Sequence, residues 1–112
     1  MFNFGPKVPT ITAEEVKQAL DEKKNVIMLD VRTPDEFSRG TIAGSINIPV
    51  DEISNKIENV ISDKNKTIYV YCLSGSRSAV AAQAMLKKGY TNVFSMTSGL
   101  LAWRAQKYTL TQ

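Results

Sequence analysis

Short apolar runs and amphipathic stretches take turns along this chain. Residues 26–29 (Val-Ile-Met-Leu) and 67–71 (Thr-Ile-Tyr-Val-Tyr) are β-prone and nearly continuous in apolar side chains, as in central parallel strands. Residues 45–48 alternate polar and apolar, which predicts a strand with one wetter face, ended by Pro49. Residues 93–96 form a last short strand, and Ile11 ends a first one. Helical patterns lie between. Thr12-Ala13-Glu14-Glu15 is a capping box, and Val16 and Leu20, four apart, give its helix a buried stripe. Thr33-Pro34-Asp35-Glu36 is a second box with Pro at the first helical position, predicting one or two turns that stop at Gly40. Ile53, Ile57, Val60 and Ile61 predict a helix with one buried face. Residues 78–87 carry Ala79, Ala81, Ala82 and Ala84, small enough to let a helix lie close against a sheet. Lys87 and Lys88 suit that helix's C-terminal dipole, and Gly89 is its stop. Gly99 starts a final turn, and residues 100–105 form a helix whose Trp103 reads as core. Strand alternating with helix predicts an α/β fold: a small, mostly parallel central sheet of about five strands with helices on both faces.

Composition narrows the function. A chain of 112 residues is read as one domain, residues 1–112, with its core at about 12–103. No apolar run approaches the ~20 residues of a membrane span, so no membrane partner is expected. The stretch MFNFGPKVPT lacks a cationic segment followed by a long apolar core, so no secretory signal is expected. A net charge of +3 with lysines spread along the chain argues against nucleic acid. The single cysteine excludes an internal disulfide and paired-Cys metal motifs, which fits a reducing cytoplasm. The absence of histidine excludes a Ser-His-Asp triad, a Cys-His pair and an imidazole metal site. Neither a metal nor a cofactor is expected.

Candidate chemistry gathers at Cys72. It stands where the strongest strand ends, before Leu73, Ser74, Gly75, Ser76, Arg77 and Ser78 and the helix they lead into. A lone Cys at a strand end is commonly a small buried apolar residue. Here it is followed by small polar residues, with an arginine five positions on, at the open edge of an α/β sheet, where ligands bind. The first turn of a helix has unpartnered N–H groups and partial positive charge, and a small-residue loop before it turns more N–H groups inward. A thiol on the rim of such an anion cradle is favoured as thiolate. Arg77 adds a fixed charge and a planar fork of donors.

Read as C-x-x-G-x-R, this loop resembles the active-site loop of the rhodanese family of sulfurtransferases. Residues 29–37 (LDVRTPDEF) resemble that family's "LDVR…EF" segment, residues 40–49 (GTIAGSINIP) its "GHIxGAINIP" segment, and residues 98–103 (SGLLAW) its "GGxxAW" segment. The resemblance runs from about Thr12 to Trp103 and implies a rhodanese-like fold. It implies a sulfurtransferase that moves sulfane sulfur from a small donor anion such as thiosulfate, through a Cys72 persulfide, to cyanide in vitro or a thiol in the cell. An acceptor protein would be a further partner. Leu73, Ser74, Gly75, Ser76, Arg77 and Ser78 would bind substrate. In that family the "LDVR…EF" stretch is chiefly structural, so Asp30 and Arg32 would shape the site, and Glu36 would cap its helix or pair with Arg32.

Two other functions fit parts of the pattern. A cysteine phosphatase or arsenate reductase also uses a Cys loop ending in Arg, typically with five residues between, against four here. The tighter loop suits a tetrahedral phosphate poorly, and no acid for an alkoxide leaving group is evident. A non-enzymatic rhodanese-like binding module is the other alternative; such modules often lose the Cys retained here. Thr41 stands where the family pattern usually has His, and Ser98 where it has the first Gly. Neither position carries a step of the expected chemistry.

Overall fold

A computed structural model describes residues 7–112; part of the stretch read for a secretory signal, residues 1–6, lies outside them. Five strands form one sheet: β1 (Thr10–Ile11), β2 (Val26–Asp30), β3 (Ile46–Asn47), β4 (Thr67–Tyr71) and β5 (Asn92–Met96). Their order is β1-β5-β4-β2-β3, and every pair is parallel. The helices are α1 (Ala13–Asp21), α2 (Pro34–Ser38), α3 (Ile53–Val60), α4 (Ser76–Lys87) and α5 (Gly99–Ala105), with a 3₁₀ turn over Val50–Glu52 leading into α3.

Period-two alternation in the central strands divides the core into two layers. Leu29, Ile68, Val70 and Cys72 face Ile53 and Ile57 of α3 and Ala81, Ala82 and Met85 of α4. Met28, Tyr69 and Tyr71 face Val16 of α1 and Leu100 and Trp103 of α5. Both central strands are thus buried on both sides, which accounts for their unbroken apolar character. All five strands point the same way, so β2 and β4 deliver Asp30 and Cys72 to one edge.

Both capping boxes form: Thr12 with Glu15, and Thr33 with Glu36, each with the reciprocal pair of bonds. Helix α4 closes as expected, with Gly89 at φ +96 and the Tyr90 N–H returning to the Met85 carbonyl. Trp103 is buried and donates its Nε1–H to the Thr109 carbonyl, 3.0 Å away.

Two expectations change. Helix α4 begins at Ser76, two residues before the expected start, because Gly75 at φ +110 turns the chain sharply enough to serve as N-cap. Val60 is 46% exposed. Burial in α3 follows Ile53, Ile57 and Ile61, each four residues apart, and a residue one place short of the last falls toward solvent.

Candidate active site

Cys72 follows the last residue of β4, on the face shared with Ile68 and Val70, beneath the N-terminus of α4. The Gly75 N–H donates to its Sγ over 3.1 Å, and the Ser78 Oγ lies 3.8 Å from it. Ser78 also donates to the Gly75 carbonyl (3.1 Å) and bonds the Ser95 hydroxyl (2.8 Å), which can donate to Ser78 when Ser78 turns to the sulfur. Burial pushes the thiol up. The backbone N–H of Ser78, then that of Gly75, the Ser78 hydroxyl and the Ser74 N–H pull the other way and outweigh it. The thiol therefore sits below its ordinary value.

The loop is aimed from behind. Helix α5 starts at Gly99, and its N-terminal N–H groups reach back: Leu100 to the Cys72 carbonyl and Leu101 to the Leu73 carbonyl, both at 3.0 Å. Fixing these two carbonyls on α5 turns the following amides toward the sulfur. The contact is close enough to require glycine. A Cβ on Gly99 would be driven into the Cys72 carbonyl oxygen and would lie 2.8 Å from that of Leu73. Ser98, where the resembled pattern has glycine, takes the left-handed conformation at φ +58.

Arg77 does not point freely at the cradle. Its two terminal nitrogens bond the Glu36 carboxylate at 2.7 and 3.1 Å, a bidentate pair between α4 and α2. Glu36 caps α2 as expected, but its ion-pair partner is Arg77, not the expected Arg32. The Arg77 guanidinium holds its carboxyl down at about 2. Arg77 is in turn raised, first by Glu36 and to a lesser degree by the Cys72 sulfur.

Arg32 has another partner. Its Nε and Nη2 bond the Asp30 carboxylate, at 2.7 Å for the shortest contact, and Nη2 also reaches the Gly40 carbonyl. Both residues are buried. Thr41, in the place of the family's His, donates to Asp30 (2.9 Å) and lies 2.6 Å from the Tyr71 hydroxyl, which also meets Ser45 and the Ile42 N–H. Burial, with the Asp30 charge, pushes the Tyr71 phenol up to about 12 and keeps it neutral. Asn47 ties this cluster to β3 by donating to the carbonyls of Asp30 and Arg32.

Cys72 has no exposed surface, so the loop covers the sulfur in this structure. Ser74 and Ser76 are exposed above it, and Leu73, Gly75 and Arg77 are half-buried. A cavity of about 400 Å³ flanks the loop on one side, walled by Ser74, Gly75, Ala79 and Ser95 among others. One of about 200 Å³ flanks it on the other, walled by Arg32, Glu36, Arg39, Leu73 and Arg104. Reasoning from sequence placed Cys72 and its loop but missed the supports: Ser95, Gly99, and Glu36 as the partner of Arg77. Only Gly99 had a signal, its place in the "GGxxAW"-like segment.

An α/β domain that holds a cysteine sulfur in a loop of amide donors at its sheet edge defines a class of thiol-centred proteins. The chain matches the Rhodanese-like domain over residues 12–106, and it belongs to that family. It is 30% identical over 96 residues to a sulfurtransferase of Allochromatium vinosum, covering 86% of this chain and 88% of that protein. It is 33% identical over 96 residues to the putative sulfur carrier protein YrkF of Bacillus subtilis, covering 86% of this chain; it spans about half, 51%, of that relative's length. The crystal structure of a rhodanese-related protein from Thermoplasma volcanium aligns with a TM-score of 0.80 at 31% identity, covering 92% of this chain and 97% of that one. No helix among the described residues is long and apolar enough to cross a membrane, and no group of His, Cys, Asp and Glu among them could hold a metal ion.

Proposed function

We propose that this domain is a sulfurtransferase of the thiosulfate-using type, working in the cytoplasm through a persulfide on Cys72. The Gly75 N–H at 3.1 Å from Sγ carries this reading, because a backbone donor aimed at the sulfur favours its anionic form. The Cys72 thiolate attacks the outer sulfur of thiosulfate. A bond forms between Sγ and that sulfur, the sulfur–sulfur bond of thiosulfate breaks, and sulfite leaves with its electron pair. The persulfide is itself anionic, and the amides of Ser74, Gly75 and Ser78 stabilise its charge. A thiol or cyanide then attacks the outer sulfur and the electron pair returns to Sγ. No general acid is required, because sulfite and thiolate leave as anions; the absence of histidine is no obstacle.

Thiosulfate reaches the sulfur only when the loop opens, since Cys72 is covered at rest. Arg77 assists the incoming oxyanion with the N–H groups that Glu36 leaves unused. The deciding experiment pairs thiocyanate formation from thiosulfate and cyanide with mass measurement of the sulfur-loaded chain. Wild type should gain one sulfur atom and turn over; Cys72→Ser should do neither. Loading that survives Cys72→Ser would overturn the reading.

A further inference from the structure

The smaller cavity beside the loop has an uneven charge balance. Among the described residues around it, Arg32 is matched by buried Asp30, Arg77 by Glu36, and Arg39 by Asp35 at 2.7 Å. Arg104 of α5 has no acidic partner among the described residues. The Arg39–Asp35 pair is also weak, because its side chains are 65% and 83% exposed. Arg32 is locked by Asp30 and the Gly40 carbonyl and cannot turn out. The cavity therefore presents one uncompensated guanidinium, Arg104, and a second, Arg39, that an incoming anion can recruit.

Its position matters as much as its charge. Leu73, which follows the nucleophile directly, forms part of the wall, and the Leu101 N–H of the helix bearing Arg104 bonds the Leu73 carbonyl. A group bound at Arg104 is thus registered to the sulfur-bearing loop through α5. About 200 Å³ is below the volume of drug-sized ligand sites and suits a short tail.

We propose that this cavity selects the sulfur acceptor: it binds the carboxylate of a low-molecular-weight thiol through Arg104 and Arg39, placing the thiol at the Cys72 persulfide. This rests on the sulfurtransferase reading above. The thiolate of the acceptor attacks the outer persulfide sulfur, a new sulfur–sulfur bond forms on the acceptor, and the bond to Sγ breaks with its electron pair returning to Cys72. The acceptor leaves as a persulfide, and no outside oxidant or reductant is involved.

The test uses the full chain with three acceptors of similar size: 3-mercaptopropionate, 2-mercaptoethanol and 2-aminoethanethiol. In wild type, kcat/KM corrected for thiolate fraction should fall in that order. In Arg104→Ala the ratio for 3-mercaptopropionate over 2-mercaptoethanol should drop about tenfold, the scale of one lost charge-assisted contact. Arg104→Lys should restore part of it, and Arg104→Glu should favour 2-aminoethanethiol. Ratios unmoved by all three variants would overturn the proposal. A second readout needs no turnover. Titration with unreactive 3-(methylthio)propionate should shift the Arg104 Nε–H resonance in a saturable way, and a resonance that stays put would overturn it equally. A chain that never loads sulfur yet shows that saturable shift would defeat the sulfurtransferase reading and leave the carboxylate site standing.

Discussion

Two polar clusters are buried at the same sheet edge, and they are built on opposite plans. At the end of β2, Asp30 and Arg32 neutralise each other, and Thr41, Tyr71, Asn47 and the Gly40 carbonyl take up what remains. No buried polar side-chain atom among the described residues lacks a partner. At the end of β4, a single sulfur faces several amide and hydroxyl donors, with the Arg77 guanidinium, itself held by Glu36, as its only nearby cation among the described residues. The first cluster is closed and fixes shape. The second has donors in excess of acceptors, so it favours a negative charge on the sulfur. A cluster becomes reactive where its donors outnumber what the chain itself supplies.

The contrast can be tested by breaking each cluster in turn. The largest effect should come from Asp30→Asn, which leaves Arg32 charged and buried without its counter-ion. Unfolding in urea should show a loss of about 3–5 kcal/mol, while the Cys72 titration moves little. A variant as stable as wild type would show that the pair is not the keystone of that edge. Ser78→Ala removes one donor from the sulfur. Its thiol should titrate higher, as expected for one weakened hydrogen bond to an anion, and the fold should lose about 1–3 kcal/mol because the buried Ser95 hydroxyl loses its partner. Ultraviolet thiolate absorbance against pH checks this, and an unmoved midpoint would leave the amides as the whole cradle.

The smallest effect belongs to the Arg77–Glu36 link, which lies nearer solvent. Glu36 titrates at about 2 in the fold against an ordinary 4.5. A depressed carboxylate stabilises the fold in full above its unfolded value and loses that contribution as pH falls through its folded value. Glu36→Gln should therefore cost about 1 kcal/mol at neutral pH, discounted for the partial exposure of the pair. The gap from wild type should narrow below pH 4.5 and close near pH 2. Urea midpoints of both chains across that window provide the measurement, and a gap independent of pH would detach the effect from this carboxylate.

What could be read in advance follows the range of the interactions. The capping boxes at Thr12 and Thr33 lie within four residues, so their signals are complete in the sequence. The strands β2 and β4 declare themselves because burial on both faces demands unbroken apolar runs. Strands β1 and β3 are two residues each and exist through their pairing with β5 and β2; the end of β1 at Ile11 was legible, but the limits of β3 were not. Glu36 shows both regimes in one side chain. Its bond to Thr33 is local and readable; its bond to Arg77, forty-one residues on, depends on how α2 and α4 meet. The same holds for Gly99, where a turn was legible but the carbonyl pressed against it was not.

The backward reach of α5 gives the loop a built-in reporter. If thiosulfate gains access only by lifting the cover over Cys72, the carbonyls of Cys72 and Leu73 must let go of the Leu100 and Leu101 amides. Hydrogen exchange at those two positions then counts the openings of the loop, and a sulfur already stored on the cysteine would be visible as a change in their tempo.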